Sequence, residues 1–253
     1  LTGRFLLNLD TEDWGEFYVG CAGGVDVRLT RQLTREMLPA GWTSGTISLT
    51  GLKGGHSGVD IHLERGNANK LMARILDDLL SVTALRLVSM TGGTLRNALP
   101  REAFAGIACS PESMPAVLDR LEFWQVQLND ELAGAETGIA LVFAHTSSED
   151  ALDDVSTRQV IDILNALPNG VNRQSRQVSG VVETSDNVGV VTVSGQQLSV
   201  LMLVRSLRDS GMDALVAQIA AIGRLATGLY GIGSGTGGLV AGQGFQFFLH
   251  AQG

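Results

Sequence analysis

Apolar positions along the chain recur in two periods, and the alternation of those periods outlines the fold. Leu71, Ile75 and Leu79, with Met72, Leu76 and Leu80, recur every three to four residues and predict a helix over residues 67–80. Residues 46–49, 84–89, 104–109 and 138–144 are short apolar or β-branched runs and predict strands. A long helix is expected over 111–132, with Ser110 as N-cap and Pro111 at its first position. Another is expected over 156–167, stopped by Pro168-Asn169-Gly170. Two strands, 188–193 and 198–205, flank a Ser194-Gly195 turn, and a last helix covers 213–226. Upstream, the apolar run 5–9 ends at an acidic loop and reads as a buried strand with Asp10 at its C-terminal end. The order is β-α-β-β-α-β, followed by a partial second round of helix, two strands and helix. This is an α+β pattern, a split sandwich with helices on one face, and not a doubly wound nucleotide fold.

Composition narrows the classes of function. The 253 residues carry 18 Lys and Arg against 26 Asp and Glu, a net charge of −8. That balance argues against a nucleic-acid or anionic-membrane surface, since both gather clustered cations. No run approaches the roughly 18 to 20 apolar residues of a membrane-spanning helix. With 44% hydrophobic residues the chain is too apolar to be disordered. Two cysteines, Cys21 and Cys109, are too few for a disulfide framework and fit a reducing cytoplasm. Both read as small buried hydrophobes. Residues 5–9 are too short for the apolar core of a secretory leader. The strand-like start at Leu1 suggests a piece of a longer protein. Nine of the 32 glycines fall in residues 228–253, and no charged side chain follows Arg224. That tail reads as a flexible Gly/Ser/Thr segment followed by the apolar run 245–249.

Most familiar motifs fail. Gly233-x-Gly235-x-x-Gly238 lacks the strand before it and the helix after it that a dinucleotide fingerprint needs. Gly51-Leu-Lys-Gly-Gly lacks the Gly-Lys-Ser/Thr of a phosphate loop. There is no His-Glu-x-x-His, no Cys-x-x-Cys and no Gly-x-Ser-x-Gly, and His56, His62, His145 and His250 stand at no ligand spacing. What remains is a set of single residues. Asp10, at a strand end, fits a metal-binding carboxylate or a turn cap. His56 lies between Gly54-Gly55 and Ser57-Gly58, which permit unusual backbone angles and leave the imidazole exposed as an oxyanion donor, a carboxylate holder or a solvated loop residue. Arg205 ends a strand and could hold a carboxylate bidentately or form a surface salt bridge. Asn187 could bond a substrate backbone or form a turn. Asn97 and Arg101, beside Leu99-Pro100, suit a structural role at a strand entry, and His62 suits a structural histidine. Glu12, Asp13 and Glu16 form a solvated acidic loop.

Two segments carry a family resemblance: residues 6–24, and Gly51-Leu-Lys-Gly-Gly-His-Ser-Gly58 with Gly66-Asn-Ala-Asn-Lys70. Further matches are Arg96-Asn-Ala-Leu-Pro-Arg-Glu-Ala103, Leu167-Pro-Asn-Gly-Val171, Val182-Glu-Thr-Ser185, Asn187-Val-Gly-Val-Val191, Arg205-Ser206 and Asp209-Ser-Gly211. Over roughly residues 5–227 the chain resembles the aminoacyl-histidine dipeptidases, carnosinase-like members of the co-catalytic zinc peptidase clan. The resemblance implies an α+β lid domain of split β-α-β-β-α-β type with partial internal duplication. One strand and loop of an α/β zinc-peptidase catalytic domain would precede it. It implies residues 1–24 as the end of a catalytic segment, 25–227 as the lid or dimerisation domain, and 228–253 as an unmatched tail. By resemblance Asp10 is a ligand of one of two zinc ions. His56 acts on the oxyanion or carboxylate, reaching into the active site of a dimer mate. Asn187 and Arg205 bind a dipeptide such as β-alanyl-histidine.

Two departures stand out. The family's His-x-Asp, bridging Asp and Glu-Glu pair lie upstream of the Asp10 equivalent and are absent here, as is its last metal-binding His. His250 has no motif context to replace it. The chain is therefore expected to be an inactive fragment of a cytoplasmic, homodimeric enzyme, with at most one zinc ligand. The alternatives are a non-catalytic lid-like binding or dimerisation module, and a broader dipeptidase or acyl-amino-acid hydrolase.

Overall fold

The computed structural model describes residues 22–226 and the backbone strand 245–252. Thirteen strands and four α-helices follow in chain order: β1 (Gly23–Gln32), β2 (Arg35–Met37), β3 (Thr43–Thr50), β4 (Gly55–His56), α1 (Ala68–Val82), β5 (Leu85–Gly92), β6 (Ala98–Leu99) and β7 (Ala103–Cys109). Then come α2 (Met114–Glu131), β8 (Ala140–Thr146), β9 (Asp150–Leu152), α3 (Asp154–Ala166), β10 (Gly170–Gln174), β11 (Val182–Ser194), β12 (Gln197–Ser206), α4 (Asp209–Ala226) and β13 (Phe245–Gln252).

One antiparallel sheet runs β13-β1-β12-β11-β5-β7-β3-β8, with β10 added beside β11. Its order contains the same four-strand unit twice. In the first unit, β3-α1-β5-β7-α2-β8, the strands lie fourth, first, third, second across the sheet. In the second, β1 is the first strand, β11 and β12 follow α3, and β13 follows α4, again ordered fourth, first, third, second. The first unit is inserted between the first strand and first helix of the second. The two meet through equivalent strands, β5 and β11, which pair antiparallel at Gly92–Val191, Thr91–Thr192 and Met90–Val193. An antiparallel join of equivalent strands relates the units by an approximate twofold normal to the sheet. All helices therefore share one face, and α1 packs on α3 across the junction.

The expected β-α-β-β-α-β order and its repetition are thus present, and the repetition is fuller than the partial round read from the sequence. Its missing first strand is β1, where Val25, Val27 and Leu29 alternate inward at 7%, 1% and 0% exposure. Its missing fourth strand is β13, formed by the run after the glycines, which pairs with β1 from Phe245–Arg31 to Gln252–Gly24. Cutting the chain at residues 24 and 227 therefore divides β1 and leaves β13 outside its own sheet. The expected strand at 5–9 lies outside the described residues.

Local chemistry fixes the helix ends. Asn67 caps α1, its side chain accepting from the amides of Asn69 and Lys70, and Asp153 caps α3 through Ser156. The second helix departs from expectation. Ser110 to Ser113 form a turn closed by the Ser113 amide on the Ser110 carbonyl at 3.0 Å. Helix α2 starts only at Met114, so the proline near its start is Pro115 and not Pro111. The core lies between the sheet and the helix layer. Met72, Ile75, Leu76 and Leu79 of α1 sit at 0% exposure against Ile47, Leu87 and Ile107 of the sheet. Burying each such side chain contributes roughly 1.5–3 kcal/mol. Among the described residues, no helix is long and apolar enough to cross a membrane.

Candidate functional site

The segment after β3 is built around glycines that other residues could not replace. Gly54 has φ +66° and Gly55 φ +140°, both in the region that side chains disfavour. A Cβ on Gly54 would lie 2.2 Å from Cγ of Arg101. This backbone path turns His56 outward. The Asp60 carboxylate accepts the His56 amide at 2.8 Å, and Arg65 donates to the Gly54 carbonyl. The buried carboxylate of Glu136, beyond the end of α2, accepts the amides of Lys53 and Gly66 and clamps the base of the segment.

The His56 ring has a defined tautomer. Its Nδ1 accepts the amides of Gly58 and Val59, each at 3.2 Å. An accepting Nδ1 is unprotonated, so in the neutral ring the proton is on Nε2. His56 thus offers an N–H donor from the ring edge away from its own loop. His56 lines a cleft of about 180 Å³ with Ala22, Gly58, Val59, Val182, Glu183, Ser185 and Arg205. A Cβ on Gly58 would lie 3.2 Å from both Cε1 of His56 and Cζ of Arg205. Imidazole and guanidinium are therefore within about twice that distance of each other, and Gly58 is what lets them approach. Arg205 comes from β12, where it sits opposite Ser185 of β11 and Gly24 of β1. Glu183 is 5% exposed and holds Arg173 at 3.1 Å and Arg208 at 3.4 Å. Its charge is thereby committed to those two guanidiniums.

His56 and Arg205, chosen from the sequence, are brought together. They come from the two different units of this chain. Asn187 is not with them. It is 0% exposed, and its Nδ2 donates to the carbonyls of Arg96 at 2.9 Å and Ala98 at 2.8 Å. Both amide hydrogens are engaged inside the protein. Asn97 accepts the Ser57 amide through its carbonyl, and Arg101 packs on Gly54, in keeping with structural roles. His62 is exposed on a 3-10 turn outside the cleft. Cys109 is buried and free, and burial pushes its thiol pKa up. Asp10, Glu12, Asp13, Glu16 and Cys21 lie outside the described residues. Among the described residues, no three His, Cys, Asp or Glu side chains converge as a zinc site requires, so these residues do not fit the metal. Glu183 and Ser185 were not singled out individually. Their signal was the two-residue period through Asn187 on β11, facing the strand that ends in Arg205.

Residues 47–136 match the family described as the peptidase dimerisation domain. Over most of its own length the chain is homologous to dipeptidases. It is 44% identical over 227 residues to the cytosol non-specific dipeptidase of Escherichia coli (strain K12), covering 89% of this chain and 47% of that protein. It superposes on the crystal structure of aminoacylhistidine dipeptidase from Vibrio alginolyticus with a TM-score of 0.86 and 40% identity, covering 99% of this chain and 48% of that one. The chain therefore spans about half the length of the relatives it matches.

Proposed function

We propose that this chain is the lid, with an adjoining catalytic segment, of a cytoplasmic zinc dipeptidase that hydrolyses Xaa-His peptides such as β-alanyl-histidine. The observation that carries the reading is the His56–Arg205 cleft. Arg205 presents a planar cation suited to the peptide's C-terminal carboxylate. The Nε2–H of His56 is placed to donate to the oxygen that gains charge as the scissile carbonyl becomes tetrahedral. Neither role needs a proton transfer from the lid. The described residues build no zinc site, and Asp10, outside them, is the one zinc ligand this sequence would supply.

The name of the Escherichia coli relative favours a second reading, a dipeptidase of broader specificity. A panel of dipeptides with and without a C-terminal His, given to the zinc-loaded enzyme that contains this chain, separates the two. Xaa-His peptides are expected to lead in kcat/KM, and equal values across the panel contradict the narrower reading. The 253-residue chain alone, supplied with zinc, is expected to show no turnover; measurable cleavage would contradict the proposal that it is an incomplete enzyme.

We also propose homodimer formation through the lid. The β5 edge of the first unit is already taken by β11, which among the described residues leaves β8 as that unit's free edge. Strand β8, Ala-Leu-Val-Phe-Ala-His-Thr, carries no Lys, Asp, Glu, Arg or Pro to block pairing with a second copy. Val142 on β8 is 56% exposed and Val126 on the neighbouring α2 is 64% exposed.

A further inference from the structure

We infer that Asn187 is the positioning residue that holds His56 in the cleft, acting through the segment 96–98 and touching no substrate itself. The inference deepens the dipeptidase reading and rests on it for its catalytic consequence, but not for its structural one.

His56 lies on β4, which is only two residues long and, among the described residues, pairs with β6 alone, also two residues, at Gly55–Leu99 and His56–Ala98. A ladder that short does not hold its own place. Asp60, Arg65 and Glu136 hold the segment from its own side, and β6 ties it to the rest of the fold. The Ser57 amide donates to the Asn97 carbonyl at 2.8 Å, which fastens the histidine segment to 96–98. The segment 96–98 in turn lies directly on β11. Strand β11 shifts register between Val188 and Val190, and a Cβ on Gly189 would come within 2.6 Å of the Arg96 Cα. At that contact the two carbonyls bracketing Asn97, those of Arg96 and Ala98, both accept from the one Nδ2 of Asn187. Two carbonyl acceptors leave no ambiguity about which end of the amide faces them. The opposite end, Oδ1, faces Nδ2 of Asn67 at 3.4 Å, and Asn67 is the cap of α1. A continuous path therefore runs from the α1 cap through Asn187 and 96–98 to His56. Arg205 does not depend on the Asn187 side chain; it is held by backbone pairing opposite Gly24 of β1 and Ser185 of β11.

The separation of these two supports gives the test. In the 253-residue chain with 13C-labelled histidine, Asn187→Ala should move or broaden the Cε1 resonance of His56. Those of His62 and His145 should stay within error of wild type. Asn187→Ser, which keeps one donor for two carbonyls, should give a smaller displacement in the same direction, and it carries the test if the Ala variant does not fold. In the zinc-loaded enzyme, Asn187→Ala should lower kcat by about ten- to hundredfold with KM within about twofold, the scale expected for displacing a catalytic group by an ångström. Asn187→Ala combined with His56→Ala should be no slower than His56→Ala alone. An unmoved His56 resonance in a folded variant overturns the inference. So does a double variant whose losses multiply. A moved resonance with no dipeptidase activity in the wild-type enzyme leaves the positioning role standing and removes the dipeptidase reading instead.

Discussion

Asp186 sits on β11 at 2% exposure, and its Oδ2 has no hydrogen-bond partner among the described residues. Burial pushes its carboxyl from 3.8 up to about 7, against the opposing pull of the Lys70 ammonium. Lys70 is itself pushed down to about 8 by burial and donates to the carbonyls of Leu164, Asn165 and Leu167 at the end of α3. Between about pH 4 and 7 the folded chain therefore keeps a proton on Asp186 that the unfolded chain has released. Stability falls as pH rises through that window. Roughly three pH units at 1.36 kcal/mol each sum to about 4 kcal/mol, with a steepest slope of about 1.4 kcal/mol per unit. Lys70 is protonated in both states there and adds no slope. Asp186→Asn removes the titration while keeping the shape. Urea unfolding of both proteins from pH 4.5 to 7 isolates it, because other carboxylates cancel in the difference. The variant should gain on wild type by a few kcal/mol across the window. A flat difference, or one that falls with pH, would refute the claim that burial dominates at this site.

Other consequences can be checked on the same chain. Gly93 has φ +69°, and a Cβ there would lie 1.9 Å from the Gly189 carbonyl oxygen, so Gly93→Ala should cost at least about 1–3 kcal/mol in urea unfolding; a loss under 0.5 kcal/mol would show that the β5 end is not held against β11. If copies pair along β8, Val142→Lys should shift sedimentation equilibrium toward monomer with an unchanged unfolding midpoint. A variant as dimeric as wild type would move the contact to another surface. Leu76 is fully buried in α1, and Leu76→Ala should lower stability by about 2–5 kcal/mol. A loss near zero would mean that the helix layer is not packed as described.

The helical repeat of α1, the β-branched strands of the first unit and the glycines around His56 were legible because local spacing decides them. Strand β1 was legible in principle, since Val25, Val27 and Leu29 alternate cleanly, but Asp26, Arg28 and Arg31 between and beyond them hid the run. The start of α2 was misplaced because Ser110-Pro111 is as good a turn opening as a helix cap. Strand β11 extends back to Val182 through Glu183, Thr184, Ser185, Asp186 and Asn187, five consecutive polar residues of which only Thr184 has a strand preference. Glu183, Thr184 and Asn187 are buried there because Arg173, Arg208, Ser206 and the 96–98 carbonyls supply partners from distant parts of the chain. The same non-locality explains the site. His56 and Arg205 were each visible as a residue with suitable chemistry, but their meeting within one chain follows from the insertion of one unit into the other, which no local pattern records. Asn187 was read as a ligand for substrate because its type allows that; only its neighbours show both amide hydrogens committed.

Kinetics of the zinc-loaded enzyme containing this chain, with β-alanyl-histidine as substrate, test the central claim most directly. Arg205→Ala should raise KM by about 10- to 150-fold through loss of a charged carboxylate contact, with a smaller change in kcat. His56→Ala should lower kcat by about 10²- to 10³-fold, as removal of an oxyanion donor does. Wild-type KM in the first variant together with wild-type kcat in the second would contradict the assignment of this cleft to the dipeptide.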